Sequence, residues 1–281
     1  MRCDSHVHIV GPHDRYPQLA ERTYLAGVAT LKQLEIISAA RAIRRFVIVQ
    51  PSFYGADNSL LLESLSVLSG RGRGVVVIDP GATSARTLSG MAGQGVRGLR
   101  LNLYSPLREK APLAHRFAAV ANLARELGWH IEVIAPLKML IENASMLEGS
   151  GAPIVIDHYG VYADTRPDRA DGVALLKLLA MPHVWMKLSA PYRVGGDPLT
   201  TKPDPAWLAA ILSASPDRCV WGSDWPHTPP HEQQLGGAIL APYRKLRYDA
   251  LVDDFIVAVG SKELAERILS DNAARLYAFE P

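Results

Sequence analysis

The stretch CDSHVHIV, residues 3–10, reads as a short β-strand with two histidines, His6 and His8, on one side, because alternate residues of a strand share a face. Seven further runs have the same character: RFVIVQPS (45–52), GVVVIDP (74–80), VRGLRLNLY (96–104), WHIEVIA (129–135), PIVIDHYG (153–160), VWMKLSAPY (184–192) and CVWGSDWP (219–226). Most are apolar without clean alternation, the pattern of strands covered on both faces. Between them lie helical patterns. LKQLEIISAARAI (31–43) repeats Leu31, Leu34 and Ile37, NSLLLESLSVLSG (58–70) starts with Asp57 or Asn58 as cap, and APLAHRFAAVANLARELG (111–128) runs from Pro112 to Gly128. Others cover 84–93, 137–148, 168–180, 205–213, 249–259 and 261–278. Strand and helix alternating eight times predict an α/β fold, the closed (β/α)8 TIM barrel, as a single domain over residues 1–281.

Composition narrows the function. Of 281 residues 48% are hydrophobic and 21% charged, with a net charge of +2, so no basic field points to nucleic acid. Cys3 and Cys219 sit apart in apolar runs and read as buried thiols rather than a disulfide. No apolar run has the length of a signal peptide or membrane span, so a soluble, cytoplasmic protein is expected, with no membrane partner. A homo-oligomer is left open.

Barrel enzymes carry their chemistry at the C-terminal ends of the strands. There the runs place His6 and His8, then Gln50 and Ser52, Arg100 and Asn102, His158, Ser189 with Tyr192 and Arg193, and Asp224, Trp225 and His227. The first and last strands of a closed barrel are neighbours, so GSDWPH (222–227) comes beside HVH. Two imidazoles and a carboxylate at one rim make either a metal site or a proton-transfer site. For His158 the competing reading is a hydrogen-bonded core histidine, and for Arg100 an ion pair with a loop carboxylate. His13, His115, His183 and His231 fall in loops or on helix surfaces, and His130 begins its strand at the opposite end of the barrel. The Gly- and Pro-rich residues 193–207 form either a lid or a surface loop.

HVH on the first strand and GSDWPH on the last resemble the amidohydrolase superfamily, and within it the 2-pyrone-4,6-dicarboxylate lactonase group. DSHVHIVGPHDRYP, FVIVQPSFYGADN, GVRGLRLNL, LGWHIEV, IDHYG, VWMKLSAPYR, RCVWGSDWPH and LSDNAARLY carry the likeness nearly end to end. The resemblance implies a hydrolase that activates water. Two-metal members use a lysine on the fourth strand and histidines on the fifth and sixth. Here the fourth strand offers Arg100 and Asn102, the fifth ends in Ile134 with Glu132 deeper, and only His158 remains, so a binuclear site is not expected.

A single divalent ion such as zinc or manganese on His6, His8 and Asp224 is one alternative. Metal-free members make no required cofactor the favoured one. In that version Asp224 is the base, His6, His8 and His158 donate to the oxyanion, and Arg100 and Arg193 bind the carboxylates of a small acidic substrate. Tyr24, Ser52, Asn102, Tyr192 and His227 add neutral contacts. Two departures, Arg108 lying further along than the group's second arginine and Ile134 in place of a tyrosine, point to a different lactone from the pyrone dicarboxylate, such as one derived from a sugar acid. The rivals are a metal-dependent decarboxylase of an aromatic acid, a lactone isomerase, and a non-catalytic binder of acidic metabolites.

Overall fold

The computed structural model describes residues 1–104, 111–229 and 236–280. In chain order the strands are β1 (Arg2–Val7), β2 (Tyr24–Ala26), β3 (Ile43–Val49), β4 (Gly72–Val76), β5 (Val96–Asn102), β6 (His130–Ile134), β7 (Ile154–Ile156), β8 (Val184–Ser189), β9 (Cys219–Gly222) and β10 (Gly236–Ala241). Eight of them pair in the order β1-β3-β4-β5-β6-β7-β8-β9, all parallel. The ring closes just beyond β9, where the Asp224 N–H donates to the His6 carbonyl at 2.9 Å and the His8 N–H to the Trp225 carbonyl at 2.8 Å. Gly222 makes that closure fit, because a Cβ there would stand 2.6 Å from His6 Cβ. The expected (β/α)8 barrel is therefore present.

Each run is shorter as a strand than the sequence suggests, because its polar end turns over the rim instead of pairing. The helices are trimmed for local reasons. The helix expected over 31–43 spans Leu31–Ser38, capped by Thr30, because residues 39–41 tighten into a 3-10 turn and Ala42, at φ 57°, turns the chain into β3. Helix Ser59–Leu68 is capped by Asp57, which accepts from the Ser59 N–H at 3.1 Å, whereas the Asn58 amide instead bonds Ala56 and Val77. Helix Leu113–Leu127 ends at Gly128, φ 65°, as expected.

The parallel pair β2 and β10 was not expected. It zips the segment after β1 to the segment after β9, on the side where the barrel closes. No helix among the described residues is long and apolar enough to cross a membrane.

The apolar interior divides in two. The larger part lies between barrel and helices. The smaller fills the lower barrel with Val47, Val49, Val75, Val155, Trp185 and Val220, and Tyr277 and Phe279 plug it from below. Arg73 holds that plug, donating to the carbonyls of Tyr277 and Ala278 and lying over the Phe279 ring. Cys3 and Cys219 are buried free thiols, pushed up to about 12 by burial.

Candidate active site

A cleft opens at the C-terminal end of the barrel. His8, His158 and Asp224 form its floor, with Arg100, Arg193, Tyr24, Ser52, Asn102 and Tyr192 around them. All these were expected site residues. Its remaining wall includes Phe53, Tyr104, Ile134, Val161, Thr228 and Arg244. Two expected members stand elsewhere. His6 is fully buried one step below the floor. His227 faces a second groove, its Nδ1 bonded at 3.2 Å to the Tyr192 hydroxyl.

Asp224 follows β9 in a left-handed conformation, φ 59°, and His158 follows β7 at φ 49°. Tyr159, Val161, Ala190 and His227 share that region. For non-glycine residues this conformation costs energy, and such positions gather where side chains must be aimed rather than merely packed.

The two Asp224 oxygens have different surroundings. Oδ2 accepts from Arg193 Nε at 2.6 Å and from the Tyr192 hydroxyl at 2.7 Å. Oδ1 has no hydrogen-bond partner among the described residues, though His8 Nε2 lies at 3.4 Å, His6 Nε2 at 3.7 Å and His158 Nε2 at 4.0 Å. A buried carboxylate oxygen left unpaired is costly and calls for an explanation, such as a ligand or water to come. Burial alone would raise the Asp224 carboxyl; Arg193 first, then His158 and His8, outweigh it and hold it well below the usual carboxylate range. Desolvation brings His158 down to about 4 and His6 well below its ordinary value. All three groups therefore sit in their basic forms near neutrality.

Arg193 is braced by Thr228 Oγ1 at 2.7 Å. Arg100 donates to the Gln50 carbonyl at 2.6 Å and lies 3.7 Å from Asp157 Oδ2. The carboxylate considered for Arg100 thus exists, at the end of a barrel strand rather than in a loop. The Gln50 side chain turns away to Gly55 and Asp57. His158 bonds Ser189 Oγ at 2.8 Å through Nδ1, leaving Nε2 toward the cleft.

Beneath the floor lies a polar layer of which sequence reasoning placed Glu132 and missed Lys187 and Asp157. Lys187 and Glu132 are fully buried and hydrogen-bonded to each other, Asp157 lies 3.5 Å from Lys187 Nζ, and His6 Nδ1 is 3.1 Å from the same ammonium. The available signal was Lys187 itself, two residues before Ser189 and so on the same, inward face of its strand. His130 belongs to this layer, 3.9 Å from Glu132, well below the cleft.

His13 caps the Ala26 carbonyl, and His183 lies near Leu147 O; both are structural. His115 is exposed on its helix. Arg108 and His231 lie outside the described residues. Arg244, from the segment after β10, adds a further cation to the cleft wall. At the end of the stretch after β8, Trp207 Nε1 donates to Thr165 O at 2.7 Å and the ring stacks on Tyr162.

His6, His8 and Asp224 bring ligand atoms close enough together to suggest an ion. A tetrahedral zinc, with bonds of about 2.0–2.2 Å, needs donors roughly 3.3–3.6 Å apart, and the spacings come near this. The protons do not fit. An ammonium only donates, so Lys187 makes His6 Nδ1 the acceptor and puts the ring proton on Nε2, the atom that would bind the ion. Two lone pairs converge there, not three.

An HxH strand meeting a last-strand aspartate at the mouth of a (β/α)8 barrel defines a class, and the chain falls within it. A family model described as amidohydrolase matches residues 3–279, and the chain belongs to that family. It is 29% identical over 290 residues to the 2-pyrone-4,6-dicarboxylate hydrolase of Comamonas testosteroni, covering 98% of this chain and 89% of that protein. It is 28% identical over 283 residues to the 4-sulfomuconolactone hydrolase of Hydrogenophaga intermedia, covering 98% and 88%. A crystal structure from Pseudomonas putida, assigned as a 2-pyrone-4,6-dicarboxylic acid hydrolase, superposes with a TM-score of 0.78 at 30% identity, covering 100% of this chain and 98% of that one.

Proposed function

We propose that the protein hydrolyses a lactone that carries one or more anionic groups, with Asp224 as general base and no required metal ion. The observation that carries this reading is Asp224 Oδ1, buried and unpaired on the floor of a cleft walled by Arg100 and Arg193. Water bound at Oδ1 lies beside His8, whose Nε2 is 3.4 Å from that oxygen, and keeps its lone pairs for a substrate above. His8 Nδ1 is committed to the Val49 carbonyl at 2.7 Å, so Nε2 accepts rather than donates. His8 thus donates nothing to the substrate, and oxyanion stabilisation falls to His158 and Arg100. Asp224 then returns the proton to the leaving ring oxygen.

Arg193 links binding to base strength. Its hydrogen bond to Asp224 weakens the carboxylate as a base. A substrate carboxylate or sulfonate that draws the guanidinium toward itself strengthens the base at the moment it is needed. The relatives' named substrates, a dicarboxylate pyrone and a sulfonated muconolactone, are both anionic lactones, in keeping with such a cleft.

The test is a panel of acidic lactones followed by NMR and by acid release. Ring opening with one equivalent of acid, unaffected by chelator, is the expected result. Binding without turnover across the panel would overturn the reading. A rearranged lactone without acid release would replace hydrolysis by isomerisation, and loss of carbon dioxide from an aromatic acid in a chelator-sensitive reaction would replace it by decarboxylation.

A further inference from the structure

We propose that Lys187 is a positioning residue that keeps the proton of His6 on Nε2, so that the HxH pair works as a donor and an acceptor beside Asp224 instead of as a metal chelate. The tautomer stands on geometry alone; its catalytic consequence rests on the lactonase reading.

Each ring nitrogen of the pair has a fixed role. Lys187 Nζ, 3.1 Å from His6 Nδ1, has donors and no lone pair. The opposite tautomer would have Asp157 Oδ1, 3.3 Å from the same nitrogen, as acceptor, but would set its N–H beside an ammonium that is nearer still. The Val49 carbonyl, 2.7 Å from His8 Nδ1, has lone pairs and no proton. His6 Nε2–H and the bare His8 Nε2 therefore complement each other across 3.3 Å. The same His6 nitrogen, Nε2, lies 3.7 Å from Asp224 Oδ1. His6 supports Asp224 and His8 from beneath and does not line the cleft.

Charge leads to the same conclusion. Glu132, Asp157 and Asp224 are three buried carboxylates, and Lys187, Arg100 and Arg193 are three buried or nearly buried cations against them. Each of these carboxylates already has a cation beside it. A divalent ion at Asp224 would add positive charge next to the Arg193 guanidinium, which repels it. Removing Lys187 changes both conditions at once. It frees His6 to donate from Nδ1 to Asp157 Oδ1, 3.3 Å away, and leaves one carboxylate unbalanced. His6 Nε2, His8 Nε2 and Asp224 Oδ1 then present three lone pairs at zinc-like spacing.

Two measurements test this without any substrate. The first is a two-bond ¹⁵N–¹H correlation on the full-length, histidine-labelled protein, with His6 assigned by the signal lost in His6→Gln. The expected spectrum shows His6 protonated at Nε2 and His8 at Nδ1. The second is equilibrium dialysis against zinc chloride, comparing wild type with Lys187→Met, with Lys187→Met/Glu132→Gln, which leaves no orphaned carboxylate if the single variant fails to fold, and with Lys187→Arg. Either methionine variant should bind zinc at least tenfold more tightly than wild type, and Lys187→Arg should stay within about threefold of it. A His6 proton on Nδ1 in wild type, or unchanged zinc affinity in the methionine variants, would overturn the assignment. Kinetics then add the catalytic arm: chelator-treated Lys187→Met should lose at least tenfold in kcat with KM within about twofold. If no lactone is turned over, the function reading fails while the spectrum and zinc binding still decide the tautomer.

Discussion

Two aspartates stand on either side of the seam where the barrel closes, and their surroundings are opposite. Asp4, on β1, accepts from the Ser223 N–H at 2.8 Å, from the His6 N–H at 3.2 Å and from the Tyr248 hydroxyl at 2.9 Å. Asp224, just past β9, keeps one oxygen without a hydrogen-bond partner among the described residues. Both are buried. Burial raises Asp4 to about 6 in spite of its donors, whereas Arg193 and the histidines hold Asp224 well below the ordinary range. Burial by itself therefore does not mark a working carboxylate. A spare acceptor beside a cation at a cavity floor does.

The largest effect should come from Asp224→Asn, which removes the base without emptying the cleft. We expect kcat to fall by about 10³–10⁴ while a dicarboxylate inhibitor still binds. Steady-state kinetics within tenfold of wild type would remove the distinction between the two aspartates.

Asp4→Ala should do the reverse. It strips two backbone N–H groups and a tyrosine hydroxyl of their acceptor at the seam, at a cost of about 2–4 kcal/mol. Thermal unfolding should shift down by roughly 4–8 °C, with kcat changed far less than in the asparagine variant of Asp224. An unshifted midpoint would show that the seam holds without Asp4.

Acidity separates the carboxylates from the imidazoles around them. His158 and His227 have native values near 4, below the ordinary 6.5, and His6 and His130 are also lowered, all mainly by burial. The unfolded chain binds their protons first, so stability should fall as pH drops from about 6.5 toward 4, by up to about 3 kcal/mol for His158 alone. Asp4 works against this trend, because a raised carboxyl favours the folded state as pH falls through 6. Melting curves across that window should flatten in His158→Gln, and an identical slope would show that His158 is not buried neutral.

The smallest change is expected from Arg193→Met, which should raise KM for anionic lactones by about 10–100-fold, the equivalent of one lost charged hydrogen bond or two. A KM unchanged in Michaelis plots would move the anion site to Arg100 and Arg244.

What the sequence made legible follows from strand parity and barrel closure. His6 and His8 two residues apart, and a carboxylate on the eighth strand, suffice to place three groups at one mouth. Parity does not reveal depth, so His6 was read as touching the substrate although the structure seats it a layer lower. Lys187 was passed over because it sits inside an apolar run and the lysine sought was on the fourth strand. Asp157 was passed over within its run in the same way. The left-handed turns at His158 and Asp224 have no glycine to announce them, and Arg244 reaches the cleft from the segment after β10, where its backbone N–H donates to the His227 carbonyl at 2.9 Å, a contact that no local pattern encodes.

The seam has a further consequence during synthesis. A chain still emerging from the ribosome can stack its first seven barrel strands, yet its opening imidazoles have no Asp224 to face until the eighth is released. Until then Lys187 and Glu132 lie in a trough open along one side to water. Such a nascent chain should be catalytically silent up to that point, and the protein's activity should arise in one late step rather than grow with length.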